Sequence, residues 1–292
     1  MNPIQKRSLL YGTALSIAVG LGYAVANSST DADVHTLLGS VDVQLRLAYG
    51  IPAQDKQGKE LTSRTQMIAD AEGYLATIER LQPGMAVATE FQGFAKMLRG
   101  DYVEAAAAYG KARQCRDCTE EQGDVLTFNQ ARMLAKAGQG DAALAVFGKA
   151  ASRLDARFGA QRQIEEAGIL RDLQRPAEAE QRLDAVVGAA AVEPMAALQA
   201  GQIYERLGRL DKAEQAFQRA AAAAPIGDYH LARLKLQQGQ VDKSLELLGR
   251  ASLALPAEVR RLVQQEPEAW QAVATNAKFQ ELTTVRAAAP GR

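Results

Sequence analysis

Histidine, cysteine and tryptophan are scarce in this 292-residue chain, which has two, two and one of them. That scarcity argues against the chemistry these side chains usually carry. A zinc site would need two ligands beyond Cys115 and Cys118, and His35 and His230 lie far from them in sequence. Covalent haem attachment would need a histidine after the second cysteine, where Thr119 stands. The histidines read as surface or boundary residues. Carboxylates such as Glu120 with Glu121, or Glu165 with Glu166, read as solvated faces and not as an acid–base constellation. Aromatics make up only 5% of a chain that is 47% hydrophobic, so its core must be aliphatic and rich in alanine. Alanine runs at 105–108 and 220–224 favour helix over strand. With little strand there is no framework for a phosphate-binding glycine loop. Neither sign of charge is in excess, with 34 Lys and Arg against 34 Asp and Glu. No basic stripe with interleaved aromatics marks a nucleic-acid surface. The expectation is a protein with no enzymatic activity, no cofactor, no metal, no nucleic-acid partner and no small-molecule substrate.

What the chain does have is an echo. Gly138, Ala143, Phe147 and Ala150 recur as Gly208, Ala213, Phe217 and Ala220, and precede themselves as Gly100, Ala105, Tyr109 and Ala112. Weaker copies read Gly239, Ser244, Leu248, Ala251 and Gln174, Ala179, Leu183, Val186. Successive copies are 38, 36, 34 and 31 residues apart, around the roughly 34-residue period of a helical-hairpin repeat. In each, the Gly ends a first helix where a left-handed residue is favoured. Asp141, Asp211 and Asp242 then stand where a side-chain oxygen could cap the second helix, and Pro176 marks the same start in the degenerate copy. The small, large and small residues that follow share one helical face and are core, since a repeat of this kind buries its face only by stacking.

These residues resemble the tetratricopeptide repeat family. Residues 194–227 match its pattern best, through Gly201, Tyr204, Gly208, Ala213, Phe217, Ala220 and Pro225, and the resemblance covers about 86–256. It implies an all-α fold, a right-handed α-solenoid of stacked helical hairpins with about five repeats. Tyr204 is answered by Lys96, Leu134, Leu170 and Lys235 in the other copies, which would turn those lysines outward along their stems. In this family the first helix of each hairpin lines a concave groove. By resemblance that groove comprises Val87, Glu90, Phe94 and Met97; Val125, Phe128 and Arg132; Ile164 and Arg171; Met195, Leu198 and Gln202; and Tyr229 and Arg233. Such a surface suits a protein or peptide offering apolar anchors and acidic groups, with arginine making forked contacts to carboxylates. Of the Lys and Asn residues with which family members grip a C-terminal carboxylate, only Asn129 has a counterpart here.

Flanking segments complete the organisation. Lys6 and Arg7 precede an uncharged stretch ending in Ala24, Val25 and Ala26, the layout of an export signal. Residues 1–30 read as a cleaved signal peptide or, through residues 8–26, a transmembrane anchor, two readings preferred to a buried helix of a cytosolic protein. Both readings place the rest of the chain outside the cytoplasm, on the periplasmic side of a cell envelope. Residues 31–85 form a divergent hairpin with a long loop or else a capping unit unrelated to the repeats, 86–256 the repeats, 257–285 capping helices around the single Trp270, and 286–292 a loose tail.

Cys115 and Cys118 lie in the loop after the second helix of the first clear repeat. A local structural disulfide is the leading expectation in an oxidising compartment, with free thiols or a redox pair as alternatives. The function expected is a scaffold or adaptor of the envelope, chaperone-like, that binds a partner in the groove. Alternatives are a thiol–disulfide redox protein using Cys115 and Cys118, or a structural subunit of a larger envelope complex.

Overall fold

A computed structural model describes residues 29–55 and 57–283. The anchor or signal stretch at 8–26 and the tail at 286–292 lie outside the described residues. Among the described residues no helix is long and apolar enough to cross a membrane. They form helices and no strand, with only an isolated bridge between Gln54 and Glu60. The chain divides into two compact units, one ending at Phe158 and one beginning at Gly159.

The first unit holds α1 (Ser29–Gly50), α2 (Thr62–Leu81), α3 (Ala86–Arg99), α4 (Tyr102–Ala112), α5 (Glu120–Lys136), α6 (Gly140–Lys149) and the start of α7 (Ala151–Asp172). Val34, Leu38, Val41, Leu45 and Ala48 repeat at spacings of four and three along α1, so they form one stripe. That stripe packs on Ile68, Ala71, Leu75 and Ile78 of α2, and Phe91, Phe94 and Leu98 of α3 close the same core. Arg64 of α2 is buried there and donates through Nη2 to Leu98 O at 2.5 Å, giving a carbonyl in the last turn of α3 a charged partner.

The second unit holds the rest of α7, then α8 (Pro176–Gly188), α9 (Pro194–Arg206), α10 (Leu210–Ala221), α11 (Ile226–Gln237), α12 (Val241–Ala254), α13 (Pro256–Gln265), a 3₁₀ turn (Pro267–Val273) and α14 (Ala277–Thr283). Trp270 is 1% exposed, with ring centroids 5.6 Å from both Tyr229 and Phe279. The terminal segment thus sets Trp270 against Tyr229 of α11. Within α7, Phe158 departs from helical geometry (φ −129°, ψ 22°), which breaks the helix where the two units divide.

The repeat register is written in the backbone. Gly100, Gly138, Gly208 and Gly239 all have positive φ, between 72° and 90°. The only other residue with positive φ among the described non-glycines is Gln174, at 59°, and it occupies the glycine's place in the degenerate copy. At each of these corners two backbone bonds close the first helix. At Gly208, for instance, its N–H donates to Glu205 O (3.0 Å) and the next N–H, of Arg209, donates to Tyr204 O (2.8 Å). This double bond pattern satisfies carbonyls that the helix end would otherwise leave orphaned.

The aspartates do not cap as the sequence suggested. Asp141, Asp211 and Asp242 are the second residues of α6, α10 and α12, and the residues before those helices make no side-chain cap bond. The corner turns in fewer residues than a capping aspartate needs, so each carboxylate acts as a charge near the positive end of its helix.

Candidate interaction face

First and second helices differ in what they leave accessible. Second helices bury one stripe: Ala105, Tyr109 and Ala112; Ala143, Phe147 and Ala150; Ala213, Phe217 and Ala220. First helices are packed on most of their circumference and retain only a narrow strip. Gly201 shows how close the approach is, because a Cβ there would meet Phe217 Cε1 at 2.4 Å.

In the first unit the strip on α3 carries Val87, Glu90 and Met97, all partly exposed, while Phe94 is 5% exposed. On α5, Arg132 is partly exposed, but Val125 and Phe128 are core residues, Phe128 meeting Phe147 edge-on at 5.3 Å. Gln122 Nε2 donates to Glu90 Oε2 at 3.0 Å, tying α5 to α3. Burial pushes the Glu90 carboxyl above its ordinary range, and the Gln122 bond works against that shift. Burial, with the charge of Glu90, likewise raises the Tyr109 phenol, which Arg132 partly offsets.

In the second unit Arg171, Met195, Gln202 and Arg233 are partly exposed, whereas Ile164, Leu198 and Tyr229 are buried. Beside the buried Ile164 and Leu198, the partly exposed residues are Gln161, Glu165 and Gly168 on α7, and Met195, Gln199, Gln202 and Glu205 on α9. The accessible strip is therefore richer in amides and carboxylates than the expected apolar lining. Its arginines are already paired. Arg233 reaches Glu205 through Nη2 and Glu266 through Nη1 at 3.0 Å, and Arg171 pairs with Asp172 at 2.6 Å.

Several polar residues sit deeper than the sequence suggested. Glu166 is 3% exposed and bonded to buried Arg162, with Arg182 Nε at 3.0 Å from its other oxygen. The i, i+4 spacing of Arg162 and Glu166 was the available signal. His230 is 6% exposed, stacked on Phe217 and edge-on to Tyr229, each at 5.3 Å. Burial, aided by Arg233, lowers its pKa to about 3. Lys235 does not turn outward; it pairs with Glu214 at 2.6 Å.

The expected disulfide is not formed in this structure. Cys115 and Cys118 are free, and each thiol donates to a backbone carbonyl, Lys111 O at 3.6 Å and Thr119 O at 3.5 Å. Among the described residues no group of three or more His, Cys, Asp or Glu is placed to hold a metal ion.

The tetratricopeptide repeat model matches residues 125–149 and 194–219. These are α5 with α6 and α9 with most of α10, two of the hairpins built on the corners above. No curated protein matches the chain significantly. Solved structures similar to it include pilF of Pseudomonas aeruginosa, 14% identical, covering 79% of this chain and 99% of that one with a TM-score of 0.48. A tetratricopeptide repeat protein of Parabacteroides merdae is 16% identical, covering 84% and 98%, with a TM-score of 0.45. BtubC of P. vanneervenii is 15% identical, covering 82% and 93%, with a TM-score of 0.44.

Proposed function

We propose that this tetratricopeptide-repeat protein is an adaptor of a bacterial-type cell envelope that holds a protein partner against the strips of its first helices. Its fold is that of a protein–protein interaction scaffold. The observation that carries the finer reading is the contrast between helices: first helices keep a narrow accessible strip while their apolar residues go to the core. In the first unit that strip offers Val87, Glu90, Met97 and Arg132, and in the second Met195, Gln202 and Arg233 with Gln199 and Glu205. Phe94, Val125, Phe128, Ile164, Leu198 and Tyr229 hold the strips in place from behind. Amides and paired charges of this kind recognise a partner through hydrogen bonds and exchange of ion pairs, with the methionines as adaptable apolar contacts.

Support for the envelope comes from the basic start at Lys6 and Arg7 and the uncharged stretch ending Ala24, Val25, Ala26. Residues 8–26 either anchor the chain in the inner membrane or are removed on export.

Two measurements test this. A C-terminal reporter active only outside the cytoplasm should be active; a silent reporter, with the same fusion active when a known export signal replaces residues 1–30, would remove the envelope assignment. Partner capture, measured after cross-linking in the native envelope, should fall when Met195→Glu and Gln202→Glu are combined. Undiminished capture by that folded variant would remove the strip.

A further inference from the structure

Cys115 and Cys118 bracket a turn in which Cys118 N donates to Cys115 O at 3.2 Å. Such a turn holds its first and last Cα atoms within about 7 Å, and a disulfide needs roughly 4.4–6.8 Å. The turn therefore brings the two backbones near the range that a disulfide spans, while the two thiols point to different carbonyls. Asp117 fixes this turn in place. Its carboxylate oxygens lie 3.0 and 3.1 Å from Ala86 N, the first residue of α3, so the turn is fastened to a helix N-terminus whose dipole favours the charge.

The two sulfurs sit in different surroundings. Cys115 lines an open cleft of about 810 Å³ with Gly84, Met85, Lys111, Arg116 and Asp117, two cations against one carboxylate that is already committed to Ala86 N. Cys118 is not part of that lining and packs against the core of Ala105, Tyr109 and Leu126. Burial pushes its thiol above the ordinary range, and the neighbouring Asp117 and Cys115 add to this while Arg113 opposes it.

We propose that this turn is a thiol–disulfide exchange site for low-molecular-mass acidic disulfides, in which Cys115 is the entry thiol at the cleft and Cys118 closes the ring. The cleft supplies room, and Lys111 and Arg116 supply the charge for a carboxylate-bearing compound. In the first step the Cys115 thiolate attacks one sulfur of the disulfide. A Cys115–ligand S–S bond forms, the ligand's own S–S bond breaks, and one thiolate leaves. In the second step Cys118, as thiolate, attacks Cys115 Sγ. The Cys115–Cys118 bond forms and the second ligand thiolate leaves. The protein loses two electrons and two protons, and the disulfide becomes two thiols. Because Cys118 attacks as the thiolate and burial raises its thiol, ring closure accelerates with rising pH.

Oxidised glutathione is the probe. Reduced full-length protein is incubated with it, quenched with acid at intervals, and weighed intact. Wild type should pass through a species carrying one glutathione on Cys115, located by peptide mass, to a product two hydrogens lighter than the start. Cys118→Ser should stop at the Cys115 adduct, and Cys115→Ser should lose the adduct over the same interval. The early wild-type quench needs no variant, so a misfolded variant leaves the assignment testable. An early adduct on Cys118, or wild type that stays unmodified, overturns it.

Discussion

Gly201 sets how closely α9 lies on α10. An added Cβ would sit 2.4 Å from Phe217 Cε1 and 2.5 Å from Cδ1, so Gly201→Ala must displace a ring that has no exposed surface. The same offset joins Gly93 to Tyr109, where the Cβ would meet the ring at 3.0 Å, a contact that needs a smaller adjustment. Gly201→Ala should therefore lower stability by about 1–3 kcal/mol, measured by urea unfolding, and adding Phe217→Leu should recover part of it. This pairing of small and large residues was legible in the sequence because it repeats. His230 was not legible. Its burial between Phe217 and Tyr229 depends on which side of α11 faces inward, and a lone histidine carries no such mark. Its pH behaviour follows from that burial. The unfolded chain takes a proton near pH 6.5 but the folded imidazole only near 3. Stability is thus complete above 6.5 and is lost as pH falls towards 3. In His230→Phe the loss between pH 7 and pH 4 should shrink by on the order of a few kcal/mol, as read from urea midpoints. An unchanged loss would mean that the imidazole is protonated in the fold.

The hairpin is the element in which sequence and structure agree most closely. Glycine at the corner announces a left-handed residue, and its four occurrences, with Gln174 in the fifth corner, fix where each first helix stops. Gln174 shows that position outweighs residue type: the packing on either side holds a glutamine at φ 59°. A left-handed L-residue costs roughly 1–2 kcal/mol, part of which a glycine returns as chain entropy. Gln174→Gly should accordingly raise the thermal midpoint, by the equivalent of about 0.5–1 kcal/mol; a lowered midpoint would mean that the glutamine side chain makes a stabilising contact. The aspartates misled because Asp near a helix start has two uses, cap or dipole partner, and only the length of the corner decides between them. The break at Phe158 had one small mark in the sequence, Gly159 next to it, which no repeat position singled out.

Across the whole chain, the family resemblance pointed to the first helices as the ones with an accessible strip but not to its rotational phase. The resemblance placed Ile164 and Leu198 in the groove, whereas Glu165 and Gln199, one position on, are the residues left partly exposed; of Tyr229 and Arg233, only Arg233 stays partly exposed. The difference is about one residue round the helix. It arises because apolar side chains compete for the interior and the sequence does not say how wide the buried sector of each first helix is. Charge was hidden in the same way: Arg233 is legible as a cation but not as the centre of a pair of ion bonds to Glu205 and Glu266. The adaptor reading stands on the strip, and a scan can address it one residue at a time. A photo-cross-linking residue is placed singly along α9 and along the outer face of α10, and the full-length protein is irradiated in its native envelope. The account predicts protein adducts at Met195, Gln199 and Gln202, at the spacing of one helical face, and none at Gln215 or Gln218. Adducts at Gln215 and Gln218, with none along α9, would contradict it.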